Sequence, residues 1–212
     1  MNQNLQVKIC GITTSEEVDW LNQYRPDYAG FVLFFPKSKR NLELEHATRL
    51  IHKLDKKIQS VAVTVKPTKE QVELIRNAGF SCLQIHGDVG DEVIELAGMP
   101  VWKAFNVTDL NYFTKYDEME NVRGFVLDAA TPGSGRVFDW SLLSTIPETE
   151  KRVMLAGGIS LDNVAQAMKV PNIDGVDTSS GVEKACGIGK DRKKLEQFIY
   201  AVKGDNNGTE KN

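Results

Sequence analysis

The sequence predicts a single-domain (β/α)8 barrel with eight parallel strands, and three observations lead there. Short β-rich runs alternate with helix-like segments from one end of the chain to the other. Several of those runs are nearly continuous apolar stretches, such as Ala29-Gly30-Phe31-Val32-Leu33-Phe34, as expected of parallel strands covered on both faces. The rival plan, an open doubly wound sheet, usually carries G-x-G-x-x-G after its first strand, whereas here that strand ends Lys8-Ile9-Cys10-Gly11.

The predicted strands are Leu5–Cys10, Tyr28–Phe34, Ile58–Val65, Ser81–His86, Val101–Phe105, Gly124–Asp128, Arg152–Ala156 and Gly175–Thr178. Helix start signals stand between them. Thr14 with Glu17, and Thr68 with Gln71, each have the spacing of a capping box ahead of apolar residues. Ser160 suits an N-cap before Val164, Ala167 and Met168. The last helix is the clearest, with Leu195, Phe198, Ile199 and Val202 on one face. The fourth helix, around Asp91–Ala97, and the sixth, around Trp140–Ser144, are predicted to be short.

The chain of 212 residues leaves about 26 for each of eight units, enough for strand, helix and brief loops but no added domain. The barrel is expected over residues 1–203, and the polar, glycine-containing segment 204–212 reads as a disordered tail. With 26 Lys+Arg against 29 Asp+Glu, the net charge of −3 supplies no basic field for nucleic acid. No apolar run approaches the roughly 18 residues of a membrane span. The N-terminal Met1-Asn2-Gln3-Asn4 lacks the charged and apolar regions of a secretion signal. Cysteines at 10, 82 and 186 are odd in number and widely spaced, which suggests reduced thiols in a cytoplasmic protein. The three histidines, His46, His52 and His86, suggest no metal cluster.

A barrel of this kind builds its active site at the C-terminal ends of its strands. Gly157-Gly158 after the seventh strand and Ser179-Ser180-Gly181 after the eighth can offer backbone N–H groups and hydroxyls to a phosphate, or can simply make tight turns. Cys10 ends the first strand, either as a small buried hydrophobe or as a thiolate acting as base or nucleophile. Lys8, two residues earlier on the same strand face, would favour the thiolate. Asp128 ends the sixth strand, as a cap or as an acid. The segment after it, with Gly133 and Gly135, reads as a glycine-punctuated lid. Strands one and six are not neighbours, so Cys10 and Asp128 would face each other across the mouth and could serve two atoms of one sugar-sized substrate. Arg40 can clamp a carboxylate through its planar fork or be merely solvated. Gln84 and His86 end the fourth strand, and His86 would bond a ligand or its own loop.

Seven blocks in order carry a resemblance. They are Val7-Lys8-Ile9-Cys10-Gly11, Phe35-Pro36-Lys37-Ser38-Lys39-Arg40, Leu83-Gln84-Ile85-His86-Gly87 and Gly124-Phe125-Val126-Leu127-Asp128. Gly133-Ser134-Gly135 with Phe138-Asp139-Trp140, Leu155-Ala156-Gly157-Gly158-Ile159 and Gly175 through Glu183 complete them. Up to the polar tail, the chain resembles the phosphoribosylanthranilate isomerases of tryptophan biosynthesis. The resemblance implies a cofactor-free and metal-free Amadori rearrangement of a small-molecule substrate by a monomer or homodimer. It implies Asp128 as general acid and Cys10 as general base. It also implies Arg40 on the anthranilate carboxylate and the glycine and serine loops on phosphate. Three departures stand out: Pro132 before Gly133, Thr64 where the family usually has Phe, and Cys186-Gly187 in place of Pro-Gly. Thr64 is expected to make the anthranilate pocket less apolar, and Pro132 to stiffen the lid. The alternatives are another phosphosugar isomerase or epimerase on the same barrel, and a non-catalytic barrel that binds phosphate ligands.

Overall fold

The computed structural model describes residues 5–106, 110, 112–128 and 146–204. Its elements in chain order are β1 (Gln6–Cys10), α1 (Ser15–Tyr24), β2 (Tyr28–Leu33), β3 (Asn41–Leu42), α2 (Leu44–Lys53), β4 (Gln59–Val65), α3 (Lys69–Ala78) and β5 (Cys82–His86). They continue with α4 (Asp91–Leu96), β6 (Val101–Asn106), α5 (Phe113–Glu118), β7 (Val122–Asp128), β8 (Arg152–Leu155), α6 (Val164–Ala167), β9 (Gly175–Thr178) and α7 (Arg192–Lys203). The strands run β1-β9-β8-β7-β6-β5-β4-β2, and a β1–β2 pairing closes the ring. Every pairing is parallel. The two-residue β3 hangs on the end of β2 outside the ring. The eight-stranded barrel is therefore as predicted, with each strand bound within two residues of its expected limits.

Strand alternation divides the core in two. Residues that point inward, including Tyr28, Val61, Val63, Trp102, Val126 and Met154, fill the barrel itself. Those that point outward, such as Ile9, Phe31, Ala62, Ile85, Phe125 and Val176, pack beneath the helices in a second and larger cluster. At the N-terminal end Tyr28 meets Trp102 edge to face at 5.5 Å. Arg152 donates to Gln6 Oε1 nearby at 2.9 Å. Apolar filling at that end leaves polar inward positions for the other, where the cavity opens.

Both capping boxes form. Thr14 Oγ1 accepts from Glu17 N, and Glu17 Oε2 accepts from Thr14 N. Thr68 and Gln71 do the same for α3. Ser160 caps the turn ahead of α6 rather than the helix itself: its Oγ accepts from Asp162 N at 3.3 Å. The cap of α6 falls at Asn163, and Ser160 bridges in parallel to Gly181. A turn over residues 161–163 precedes the helix, which runs for only four residues. The buried face of α7 is Leu195, Phe198, Ile199 and Val202, as its spacing predicts. The predicted sixth helix, Pro132, Gly133 and Gly135 lie outside the described residues, as does the tail beyond Gly204.

Candidate active site

A cavity of about 530 Å3 opens at the C-terminal ends of the strands. Cys10, Arg40, Gln84, His86 and Asp128 all contribute to its wall, together with Gly157, Gly158, Ser179 and Ser180. Gly181 lies one residue further along. Asp128 is three strands from Cys10 around the ring, which places the two on facing walls, as expected.

Cys10 ends β1 in register with Gly30 on β2. A methyl group on Gly30 would lie 3.0 Å from Cys10 Sγ, so the missing side chain makes room for the thiol. Lys8, below Cys10 on the same face, is buried and paired with Asp177 on β9 at 2.7 Å. Burial works against the lysine's charge, but Asp177 and Cys10 outweigh it and raise its pKa, so Lys8 stays protonated. The effect of Lys8 on Cys10 has the expected sign, yet it does not prevail. Burial and the nearby Asp177 carboxylate push the thiol up, Lys8 and Lys190 pull it down, and the net shift is upward. Lys8 thus favours the thiolate as expected, but burial outweighs it and the thiol predominates at neutral pH.

On the opposite side of the floor, the Gln84 amide nitrogen lies 2.9 Å from His86 Nε2. With the amide as donor the imidazole accepts, which requires a neutral ring. Burial, with Lys8 and Lys103 adding to it, lowers the His86 pKa to about 3. His86 thus pairs with a side chain rather than its own loop backbone, and it presents no positive charge to the cavity.

The two small-residue loops are bound together. Gly157 and Gly158 both have positive φ, 82° and 76°, where a side chain would be strained. Asn163 staples their turn: its Oδ1 accepts from Ser160 N and its Nδ2 donates to Gly158 O, each at 2.9 Å. Thr178 Oγ1 donates to Ile159 O at 2.6 Å, and the Ser160–Gly181 bridge completes the seam. Ser179 Oγ donates to Cys10 O, which ties the end of β9 to the end of β1. Gly157, Gly158, Ser179 and Ser180 of this seam line the cavity, and small-residue loops of this kind can offer backbone N–H groups to an anion.

Arg40 comes from the loop after β2, and its Nε donates to Glu183 Oε1 at 2.6 Å. Arg40 lines the cavity and is paired with a buried carboxylate, so this arginine is not merely solvated.

Residues 7–201 match the family model for N-(5'-phosphoribosyl)anthranilate (PRA) isomerase. The chain belongs to the PRA isomerase family. The N-(5'-phosphoribosyl)anthranilate isomerase of Thermoanaerobacter sp. (strain X514) is 38% identical over 206 residues, 94% of this chain and 98% of its own. The crystal structure of the phosphoribosyl anthranilate isomerase from Thermotoga maritima superposes with a TM-score of 0.82 at 32% identity. It covers 94% of this chain and 99% of its own. Another solved isomerase, in complex with reduced 1-(o-carboxyphenylamino)-1-deoxyribulose 5-phosphate, gives a TM-score of 0.80 at 32% identity over 94% of this chain and 99% of its own.

Against the PRA isomerase family pattern, Thr64 turns out to be harmless to the pocket. Even-numbered residues of β4 point outward, and Thr64 Oγ1 donates to Gln84 O in the buried outer layer. The cavity wall at this strand is Val63 and Val65, so the expected loss of apolar character does not occur. Cys186 is exposed on the loop after β9.

Sequence reasoning missed four site-supporting residues. Asp177 was discoverable, since it points inward on the strand beside Lys8. Glu183, Lys190 and Glu17 were not. Fully buried Lys190 donates from Nζ to Ser179 O at 3.0 Å and reaches Glu183 at 3.4 Å. Its backbone N–H donates to Glu17 Oε1, joining the α1 capping box to the loop after β9. Nothing in the local sequence marks pairings over such separations.

Proposed function

We propose that the chain isomerises N-(5'-phosphoribosyl)anthranilate to 1-(2-carboxyphenylamino)-1-deoxyribulose 5-phosphate in tryptophan biosynthesis, with residues 1–203 as the catalytic unit. The reading rests above all on one observation: Cys10 and Asp128 share the wall of a single cavity with Arg40 and the two small-residue loops. Asp128 gives a proton to the ribose ring oxygen, the C1–O bond breaks and the sugar opens to a Schiff base. The Cys10 thiolate takes the proton from C2, and the electron pair moves into the C1–C2 bond as the iminium becomes an enolamine. Tautomerisation to the ketose follows. Arg40 receives the anthranilate carboxylate as an ion pair with a planar fork. The Gly157-Gly158 and Ser179-Ser180-Gly181 seam receives the phosphate. Gln84 and neutral His86 form a polar wall with no charge of their own.

Burial of Cys10 serves this chemistry at some cost. A thiolate in a desolvated site is a stronger base, but fewer molecules carry it at neutral pH. Lys8 limits that cost by pulling the thiol pKa down against burial.

The fluorescence of PRA lost on incubation with the purified chain tests the proposal. The signal should fall at a rate proportional to enzyme concentration, and a signal that persists would refute the assignment.

A further inference from the structure

We propose that Glu183 is a positioning residue for substrate recognition, holding the Arg40 guanidinium by Nε so that both terminal nitrogens are left for the substrate carboxylate. The proposal deepens the reading above and rests on Arg40 as the carboxylate clamp.

A guanidinium has five N–H donors, one on Nε and four on the terminal nitrogens. Among the described residues, the hydrogen bond of the Arg40 head runs through Nε to Glu183 Oε1. That contact takes one donor and orients the plane. The four remaining donors suffice for two parallel bonds to a carboxylate. Without Glu183, a flexible arginine would have to order itself when substrate arrives, and that ordering would weaken binding.

Glu183 is itself immobilised. Its other oxygen accepts from Lys39 Nζ at 2.9 Å, and Lys190 Nζ lies 3.4 Å from the oxygen that binds Arg40. Its backbone is held as well: the N–H donates to Ser180 O, the carbonyl accepts from Lys194 Nζ, and Glu183 bridges to Lys190 across the loop. Burial opposes the carboxylate, but Arg40, Lys39 and Lys190 together hold its pKa below the usual value. It therefore remains an acceptor throughout the neutral range.

A second constraint acts on the arginine stem. Gly11, with φ of +79°, lies under Arg40, and a Cβ there would come 2.3 Å from Arg40 Cδ. The chain thus leaves a groove for the stem and places a fixed anion beside the head. Two independent features aim one side chain, which is more than a bridge between loops would require.

The experiment compares two substrates, PRA and its aniline counterpart without the carboxylate, in wild type, Glu183→Gln and Lys39→Met. In Glu183→Gln the KM for PRA should rise about tenfold, the cost of one lost charge-assisted hydrogen bond, with little change in KM for the aniline substrate. Lys39→Met alters an exposed partner of Glu183 and should give a smaller rise with the same selectivity. On an Arg40→Ala background, Glu183→Gln should add no further loss for PRA. Equal losses on both substrates, or an unchanged KM for PRA in a folded Glu183→Gln, would overturn the proposal. A wild type that turns over neither substrate would instead sink the parent assignment.

Discussion

Lys8 and Asp177 stand opposite each other on adjacent strands, and their side chains meet in a 2.7 Å ion pair inside the barrel. The pair lies one inward position below Cys10, so it forms the charged floor of the candidate site. Asp177 Oδ1 is buried without a hydrogen-bond partner among the described residues, which leaves Lys8 as the main compensation for that carboxylate.

Removing the lysine therefore exposes the full cost of burying the acid. Lys8→Met should destabilise the protein by about 3–5 kcal/mol, the usual result of orphaning a buried charge. Adding Asp177→Leu should recover much of that loss, since two apolar groups can fill the space. Urea unfolding of the single and double variants checks both. A cost below about 1 kcal/mol for Lys8→Met would place the pair in the weak class typical of exposed ion pairs.

Gly181 and Gly79 offer the same chemical change in two settings. A Cβ on Gly181 would lie 2.2 Å from Ile159 O and 2.8 Å from Ser160 Cα, both backbone atoms. Gly181→Ala must part the two loops, so competitive inhibition by inorganic phosphate should weaken about tenfold, the equivalent of one good hydrogen bond. Gly79 ends α3 with φ of +86° and nothing within 4 Å of an added Cβ. Gly79→Ala should cost about 1 kcal/mol through backbone strain and leave phosphate inhibition intact. Equal effects on inhibition from both variants would contradict the assigned phosphate seam.

The neutral state of His86 makes stability depend on pH in a defined direction. Its pKa is about 3 in the folded chain against an ordinary value of 6.5. Between those values the unfolded chain binds more protons, so stability rises with pH across that window and is lost on acidification. His86→Gln removes the titration. Its stability should fall less than wild type between pH 6.5 and pH 4, measured by urea unfolding at both. Parallel slopes would show that His86 titrates alike in the folded and unfolded chain and contradict the lowered pKa.

Much of this architecture was legible in the sequence. Runs such as that from Ala29 to Phe34 are too apolar for a one-sided sheet, and each ends in polar or small residues at the barrel mouth. For that reason Cys10, Arg40, Asp128 and the glycine and serine loops could be assigned to one face before any coordinates. Thr64 was misjudged although the information was present: Val61 and Val63 define the inward parity of β4, and Thr64 falls on the other. The Cys10 shift was less accessible. Lys8 is visible two residues away, but the depth of burial that outweighs it is a property of the assembled barrel. Glu183 and Lys190 were hidden for another reason. Their partners, Arg40 and Glu17, are more than 140 residues distant, and nothing short of the closed ring brings them together.

The acid–base pair is the central claim, and the turnover of PRA by Cys10→Ala beside wild type tests it most directly. Because Cys10 is assigned the C2 proton, kcat should fall by at least about 100-fold, the usual scale of a positioned base. The folded barrel should survive, since the thiol is a small side chain at the edge of a cavity. A folded Cys10→Ala that retained near-wild-type kcat would remove the thiol from the mechanism and contradict the account.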